Sequence, residues 1–173
     1  MDRRRQVRLR HSGSLNQSEI HGRIWSRSQQ TGQTSLRPAL IDTSFIVALY
    51  NRSDQRHSQC VHKLDVMEQP AVTCEAVVSE SCYMLRPAYG AAAALLATIE
   101  NGALEIRFQL ARSAGKVRAL LEKYRDLPAS FADACLVQMA DELDTGDILT
   151  LDSDFKHYRW RRNRRFNLLI PLD

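Results

Sequence analysis

With 173 residues, 44% of them hydrophobic, the chain is long enough for one domain with its own core, and no run approaches the roughly 18 apolar residues of a membrane-spanning helix. The net charge of +4 is uneven: residues 1–37 hold eight Arg against Asp2 and Glu19, whereas residues 38–173 hold 16 Lys and Arg against 18 Asp and Glu. Cysteines 60, 74, 82 and 135 show no CxxC spacing, which argues against a Cys/His metal site and for free thiols in a reducing cytoplasm, three of them core-facing.

Residues 1–36 are rich in Arg, Ser, Gln and Gly with few large apolar side chains. Such a stretch cannot bury enough surface to fold alone, so it reads as a disordered basic extension, or as not native. It lacks the apolar stretch of a secretory signal; a transit peptide fits less well than either reading. No Met lies between Met1 and Met67, so a shorter start near Leu36 would need a non-standard initiation codon. The folded domain is expected over 37–173.

From there the punctuation alternates. "PALID" (38–42) is a short apolar run ending in Asp, a buried strand, and "SFIVALY" begins a helix with Ser44 as its cap. A helix follows over about 55–68, where His57, Val61, Leu64 and Met67 recur at helical steps. "PAVT" (70–73) is a second strand, with Thr73 capping the helix "CEAVVSESCYML". "AAAALLATIE" is helical and "NG" (101–102) ends it; the alternating "ALEIRFQL" (103–110) reads as a third strand. Helices "KVRALLEKY" and "FADACLVQMADEL" come next, then strands "DILTL" and "FNLLI" (166–170). Strands alternating with helices predict an α/β domain built on a parallel sheet covered on both faces.

In such sheets ligands sit beyond the carboxyl ends of the strands. Asp42 ends strand one, Asp152 follows strand four, and Asp133 lies in the first turn of its helix, so three distant carboxylates are steered to one edge. Each alone has a structural explanation: a helix cap, a dipole partner, a turn. Glu80 is harder to explain away, because its helical neighbours Ala76, Val77, Tyr83 and Met84 are apolar or aromatic, and a carboxylate buried there costs several kcal/mol unless paired or bound to a metal. Four acids meeting without basic partners repel one another, and a divalent cation resolves that. Oxygen-only ligands suit Mg²⁺ or Mn²⁺, which implies phosphoryl cleavage.

The blocks "LIDTSFIVAL", "AVTCEAVVSE", "KYRDLPASFADACLVQMA" and "ILTLDSDFKHYR" resemble, in order and spacing, the motifs of PIN-domain proteins, and among these the VapC-type toxin ribonucleases of bacterial toxin–antitoxin pairs. The resemblance covers about residues 38–170. It implies a three-layer α/β sandwich with a central five-stranded parallel sheet, and a Mg²⁺- or Mn²⁺-dependent endoribonuclease that leaves 5′-phosphate and 3′-hydroxyl ends. By motif position Asp42, Glu80, Asp133 and Asp152 match the acidic quartet, with Asp42, Asp133 and Asp152 as metal ligands. Glu80 and Asp154 assist, directly or through water, and Thr43 and Ser44 support the first aspartate. The family implies an RNA substrate, a small antitoxin partner and a homodimer, with no membrane association.

"RWRRNRR" (159–165) is an Arg strip, and Arg159, Arg161, Arg162, Arg164 and Arg165 are candidates for contact with the RNA backbone, a solvated terminal segment being the plain alternative. Two rival functions stand beside the nuclease. One is a catalytically silent PIN-fold binding module, which leaves Glu80 unexplained. The other is an α/β phosphatase with Asp42 as nucleophile, which wants a second Asp at position 44 where this chain has Ser.

Overall fold

The computed structural model describes residues 37–127 and 129–172. The expected basic extension at 1–36 lies outside the described residues.

Strand β1 (Ala39–Ile41) is buried along its whole length and forms the centre of a five-stranded parallel sheet. On one side it pairs with β2 (Ala71–Thr73), which pairs in turn with β3 (Glu105–Ile106). On the other side it pairs with β4 (Asp147–Leu149), in the register Leu40↔Ile148 and Ile41↔Leu149. The chain leaves β1 toward β2 and β3, then crosses back to β4, so the order of connection reverses between β1 and β4. A crevice opens at such a switch point, because the flanking connections depart to opposite sides.

Six helices flank the sheet: α1 (Thr43–Tyr50), α2 (His57–Val66), α3 (Glu75–Met84), α4 (Ala91–Glu100), α5 (Leu110–Lys123) and α6 (Phe131–Leu143). Helix α1 packs against α2, α3 and α4, while α6 packs against α5 and α3. Nine consecutive residues of α6, Ala132 to Ala140, are buried, whereas Phe131 at its exposed start is 46% accessible. No described helix is long and apolar enough to cross a membrane. Cys60, Cys74 and Cys135 are buried and Cys82 half-buried, all four free thiols, in line with three core-facing ones.

Several local expectations shift. Asp42, not Ser44, caps α1, because its carboxylate accepts the Ser44 N–H. Cys74, not Thr73, occupies the cap position of α3, and the Thr73 hydroxyl instead donates to the Ile41 carbonyl at 2.9 Å, bracing β2 on β1. The third strand is two residues long, not eight, since the chain turns into α5 at Leu110.

Residues 153–165 form a structured arm. A 3₁₀ turn (Ser153–Lys156) buries Phe155, which stacks edge-on against Tyr158 and Phe166 with centroids 5.2 and 5.3 Å away. Strands β5 (Arg159–Trp160) and β6 (Arg164–Arg165) then make an antiparallel hairpin before β7 (Asn167–Leu168) pairs with β4 as the last strand of the sheet. The hairpin turn holds Arg161 and Arg162 at φ 35° and 64°, the left-handed region, at a cost of about 1–2 kcal/mol each. Tight hairpins need that twist and usually fill it with Asn-Gly. Here the surroundings enforce it.

Candidate active site

The carboxylates reach the C-terminal edge of the sheet by different devices. Asp42 follows β1 directly. Its Oδ2 accepts the Ser44 hydroxyl at 2.6 Å and the Thr150 hydroxyl at 2.9 Å. Thr150 follows β4, and its Oγ1 also accepts the Asp152 N–H at 2.9 Å; Ser44 Oγ accepts the Leu151 N–H at 2.9 Å. Two hydroxyls thus lock the end of β1 to the end of β4, and the position of Asp152 is set relative to Asp42 across the switch point. Asp42 is 4% exposed, and burial raises its carboxyl above the ordinary range against these hydrogen bonds, which lower it.

Asp133 is placed by the start of α6. Ser130 Oγ accepts the Asp133 N–H at 3.1 Å and Asp133 Oδ2 accepts the Ser130 N–H at 2.8 Å, a reciprocal cap that satisfies two helix-end donors. Burial pushes its carboxyl up to about 6; the bonds to Ser130 oppose the rise, and the negative charges of Asp42 and Asp152 add to it. Beneath it the fully buried Tyr158 donates a long, weak hydrogen bond to Oδ2 at 3.4 Å. The Tyr158 phenol is pushed up by burial and by Asp133, Asp154 and Asp152, and stays protonated. Asp152 caps the 3₁₀ turn, its Oδ1 accepting the Asp154 N–H at 2.9 Å.

Glu80 arrives differently from expectation. It is half-buried, and its neighbours Tyr83 and Met84 are 63% and 51% exposed, so its helix face is not the desolvated one that apolar spacing implied. What holds it at the site is Thr43, whose hydroxyl donates to Glu80 Oε2 at 2.8 Å. Of the two hydroxyl residues expected to support Asp42, Ser44 does so and Thr43 serves Glu80.

None of Asp42, Glu80, Asp133, Asp152 and Asp154 forms an ion pair among the described residues. Nor do three or more His, Cys, Asp or Glu side chains among those residues close up into a set able to hold a metal ion as they stand. Oxygens of Asp42, Glu80, Asp133 and Asp152 are engaged with backbone and hydroxyl donors instead. The donor chemistry still fits Mg²⁺, which keeps several waters and needs only one or two carboxylates directly.

The Arg strip lies elsewhere. Arg161 and Arg164 approach Asp144 Oδ1 at 2.9 and 3.9 Å, and Arg37 approaches Oδ2 at 3.2 Å. Asp144 caps the C-terminal end of α6, about 16 Å along the helix from Asp133. The next residue, Thr145, bonds the Pro38 carbonyl ahead of β1. These arginines therefore border the N-terminal edge of the sheet, opposite the carboxylates. Arg159 is half-buried, with its guanidinium on the Lys156 and Tyr158 carbonyls at 2.8 and 2.7 Å.

The PIN-domain family model matches residues 39–161, which span every one of these carboxylates. Ribonuclease VapC26 of Mycobacterium tuberculosis (strain ATCC 25618 / H37Rv) is 30% identical over 135 residues, 77% of this chain and 93% of that protein. The chain belongs to the PIN-domain family, in its VapC-type branch. The crystal structure of Mycobacterium tuberculosis VapC20, a Sarcin-Ricin loop cleaving toxin, shares the PIN fold with a TM-score of 0.65 at 22% identity, covering 73% of this chain and 98% of that one.

Three residues that bond these carboxylates do not stand out as candidates in the sequence: Thr150, Ser130 and Tyr158. Ser130 was legible as an S-x-x-D helix-start pattern. Thr150 read as one more residue of an apolar strand, and Tyr158 carried no signal at all.

Proposed function

We propose that this chain is a Mg²⁺- or Mn²⁺-dependent endoribonuclease, the toxin of a type II toxin–antitoxin pair, hydrolysing RNA phosphodiester bonds. The observation that carries the reading is the meeting of Asp42, Asp133 and Asp152 at the switch point without a basic partner among the described residues, with Asp133 raised to about 6 partly by the charges of the other two. Like charges so placed call for a counter-charge from outside the chain. Asp42, Asp133 and Asp152 would hold it, with Glu80 and Asp154 acting directly or through water. When bound, the ion supplies an activated water and neutralises charge that grows on the phosphodiester.

The chain's own residues provide orientation. Ser44 and Thr150 fix Asp42 from two sides, and Thr150 relays that position to Asp152. Thr43 holds Glu80 to the same edge. Ser130 fixes Asp133, and Tyr158 closes the floor beneath it with apolar rings behind. The name of the VapC26 relative supports RNA as the substrate. Exposed Tyr83, Met84, Tyr89 and Leu96 on the α3–α4 unit support a protein partner, an antitoxin or a second copy of the chain.

The test is cleavage of labelled structured and unstructured RNAs by partner-free protein in Mg²⁺, Mn²⁺ or EDTA. Cutting should require the metal, leave 5′-phosphate ends, and fall by roughly 100-fold or more in Asp42→Asn and Glu80→Gln, about 3 kcal/mol of barrier. Cutting that survives EDTA, or both substitutions, would sink the reading. Folded protein that binds no Mn²⁺ would sink the metal site itself.

A further inference from the structure

The hairpin at 159–165 is fixed from several sides. Trp160 is buried against Gly146, where a Cβ would lie 2.3 Å from the indole Nε1, and that N–H donates to the Arg165 carbonyl at 3.1 Å. The Arg161 N–H donates to Asp141, and its guanidinium pairs with Asp144. Residues 161–165 are all exposed, four arginines and an asparagine with no apolar side chain among them. Arg161 and Arg164 turn toward Asp144, whereas Arg162 and Arg165 have no carboxylate partner among the described residues. The left-handed backbone at Arg161 and Arg162 is thus imposed by a rigid mounting that displays charge.

We propose that this hairpin is a second RNA contact, remote from the carboxylates, where Arg162 and Arg165 grip the phosphate backbone of a substrate long enough to span both edges of the sheet. The inference rests on the nuclease reading and adds an anchor to it. A protein-binding patch would have an apolar core, which residues 161–165 lack, whereas nucleic-acid interfaces are polar and strongly positive. The guanidinium fork matches phosphate oxygens. Residues 38–173 carry more acidic than basic side chains, so the hairpin's charge is local and not part of a generally basic surface. Phosphate contacts carry no sequence information, so the anchor adds affinity without choosing the cut. The helix between Asp133 and Asp144, where Arg161 and Arg164 dock, is about 16 Å long, so a substrate reaching the hairpin from the carboxylates spans a distance of that order.

The experiment measures RNA affinity of the full chain in EDTA, so that nothing is cut, for a long stem-loop RNA and for an oligonucleotide too short to leave the carboxylate edge. In R162Q/R165Q the Kd for the long RNA should rise about tenfold, and the slope of log Kd against log salt should fall by roughly 1.5, while the short RNA binds as to wild type. R162K/R165K should restore most of the loss. Equal weakening on both RNAs, or none on either, overturns the anchor; so does a hairpin that binds an acidic polypeptide but not RNA. The outcomes separate from those of the nuclease reading. Metal-dependent cutting with long-RNA affinity unchanged in R162Q/R165Q ends the anchor alone, and arginine-dependent binding with no cutting in Mn²⁺ ends the nuclease alone.

Discussion

At the N-terminal end of α6, Asp133 shares its surroundings with Asp42 and Asp152, and no Arg, Lys or His pairs with any of them among the described residues; at the other end of the same helix, Asp144 alone is approached by Arg37, Arg161 and Arg164. One end collects like charges, the other opposite charges. The paired end is partly exposed and accounts for itself: surface ion pairs contribute little, and here they hold a hairpin in place. At the unpaired end Asp42 and Asp133 are buried, and burial raises both carboxyls, a cost that protonation relieves and that an added counter-charge would relieve as well. Unpaired buried carboxylates point to a functional site more directly than a count of acidic residues does, and on the proposed reading RNA would be cut at this edge.

That contrast is sharpest in the metal-free protein. The Asp133 carboxyl is raised from 3.8 to about 6, so the folded state holds its proton more tightly than the unfolded chain does. The folded state therefore loses stability as pH rises from about 4 through 6, and the loss is complete above that. Asp133→Asn keeps an oxygen to accept the Ser130 N–H but never ionises. Without metal it should match wild type near pH 4 and exceed it by about 2–3 kcal/mol at pH 7.5, in denaturant titrations at each pH. Mn²⁺ should narrow or reverse the gap by stabilising wild type only. A gap that does not change with pH would mean that Asp133 carries no such strain. The matching charge removal at the other edge, Asp144→Asn, should destabilise instead.

Gly146 tests the paired end next. A Cβ there would meet the indole of Trp160 at 2.3 to 2.9 Å, so Gly146→Ala forces the ring out of its slot. Overpacking of this kind costs about 1–3 kcal/mol. The loss should appear as a lower melting temperature and as faster amide exchange confined to residues 159–165, with Mn²⁺ affinity unchanged. Weakened Mn²⁺ binding would show that the two edges are mechanically coupled through Tyr158, which bonds Asp133 and whose carbonyl holds Arg159 of the hairpin.

The sequence made one edge more legible than the other. Alternating strands and helices put Asp42 and Asp152 at strand ends, and the position of Asp133 in a first helical turn followed from the helix "FADACLVQMADEL"; order and polarity were enough. Glu80 was found by an argument that the structure does not support, since α3 leaves Tyr83 and Met84 in solvent. It belongs at the edge because of Thr43, a contact across 37 residues that periodicity cannot show. The Arg strip was visible as composition, but its location was not. Its direction depends on a hairpin whose turn uses arginines where Asn and Gly would have announced it, and on a Trp–Gly contact that only the packed fold creates.

Thr150 was hidden for the same reason, since its partner Asp42 lies 108 residues away, and it offers the finest cut into the carboxylate edge. Thr150→Val keeps the shape of the side chain and removes only the hydroxyl that bridges Asp42 Oδ2 and the Asp152 N–H. A buried carboxylate and an N–H each lose a partner, for about 1–2 kcal/mol of stability in all. If the bridge only braces the fold, cleavage should follow the folded fraction and be unchanged once that is corrected for. If it sets the distance from Asp42 to Asp152, kcat should fall about tenfold at unchanged KM, and Mn²⁺ should bind more weakly. Thr150→Ser, which restores the hydroxyl with less packing, should then recover metal affinity and kcat while remaining less stable than wild type. We expect the second pattern, because the hydroxyl joins two strand ends that share no other side-chain bond to Asp42 except through Ser44.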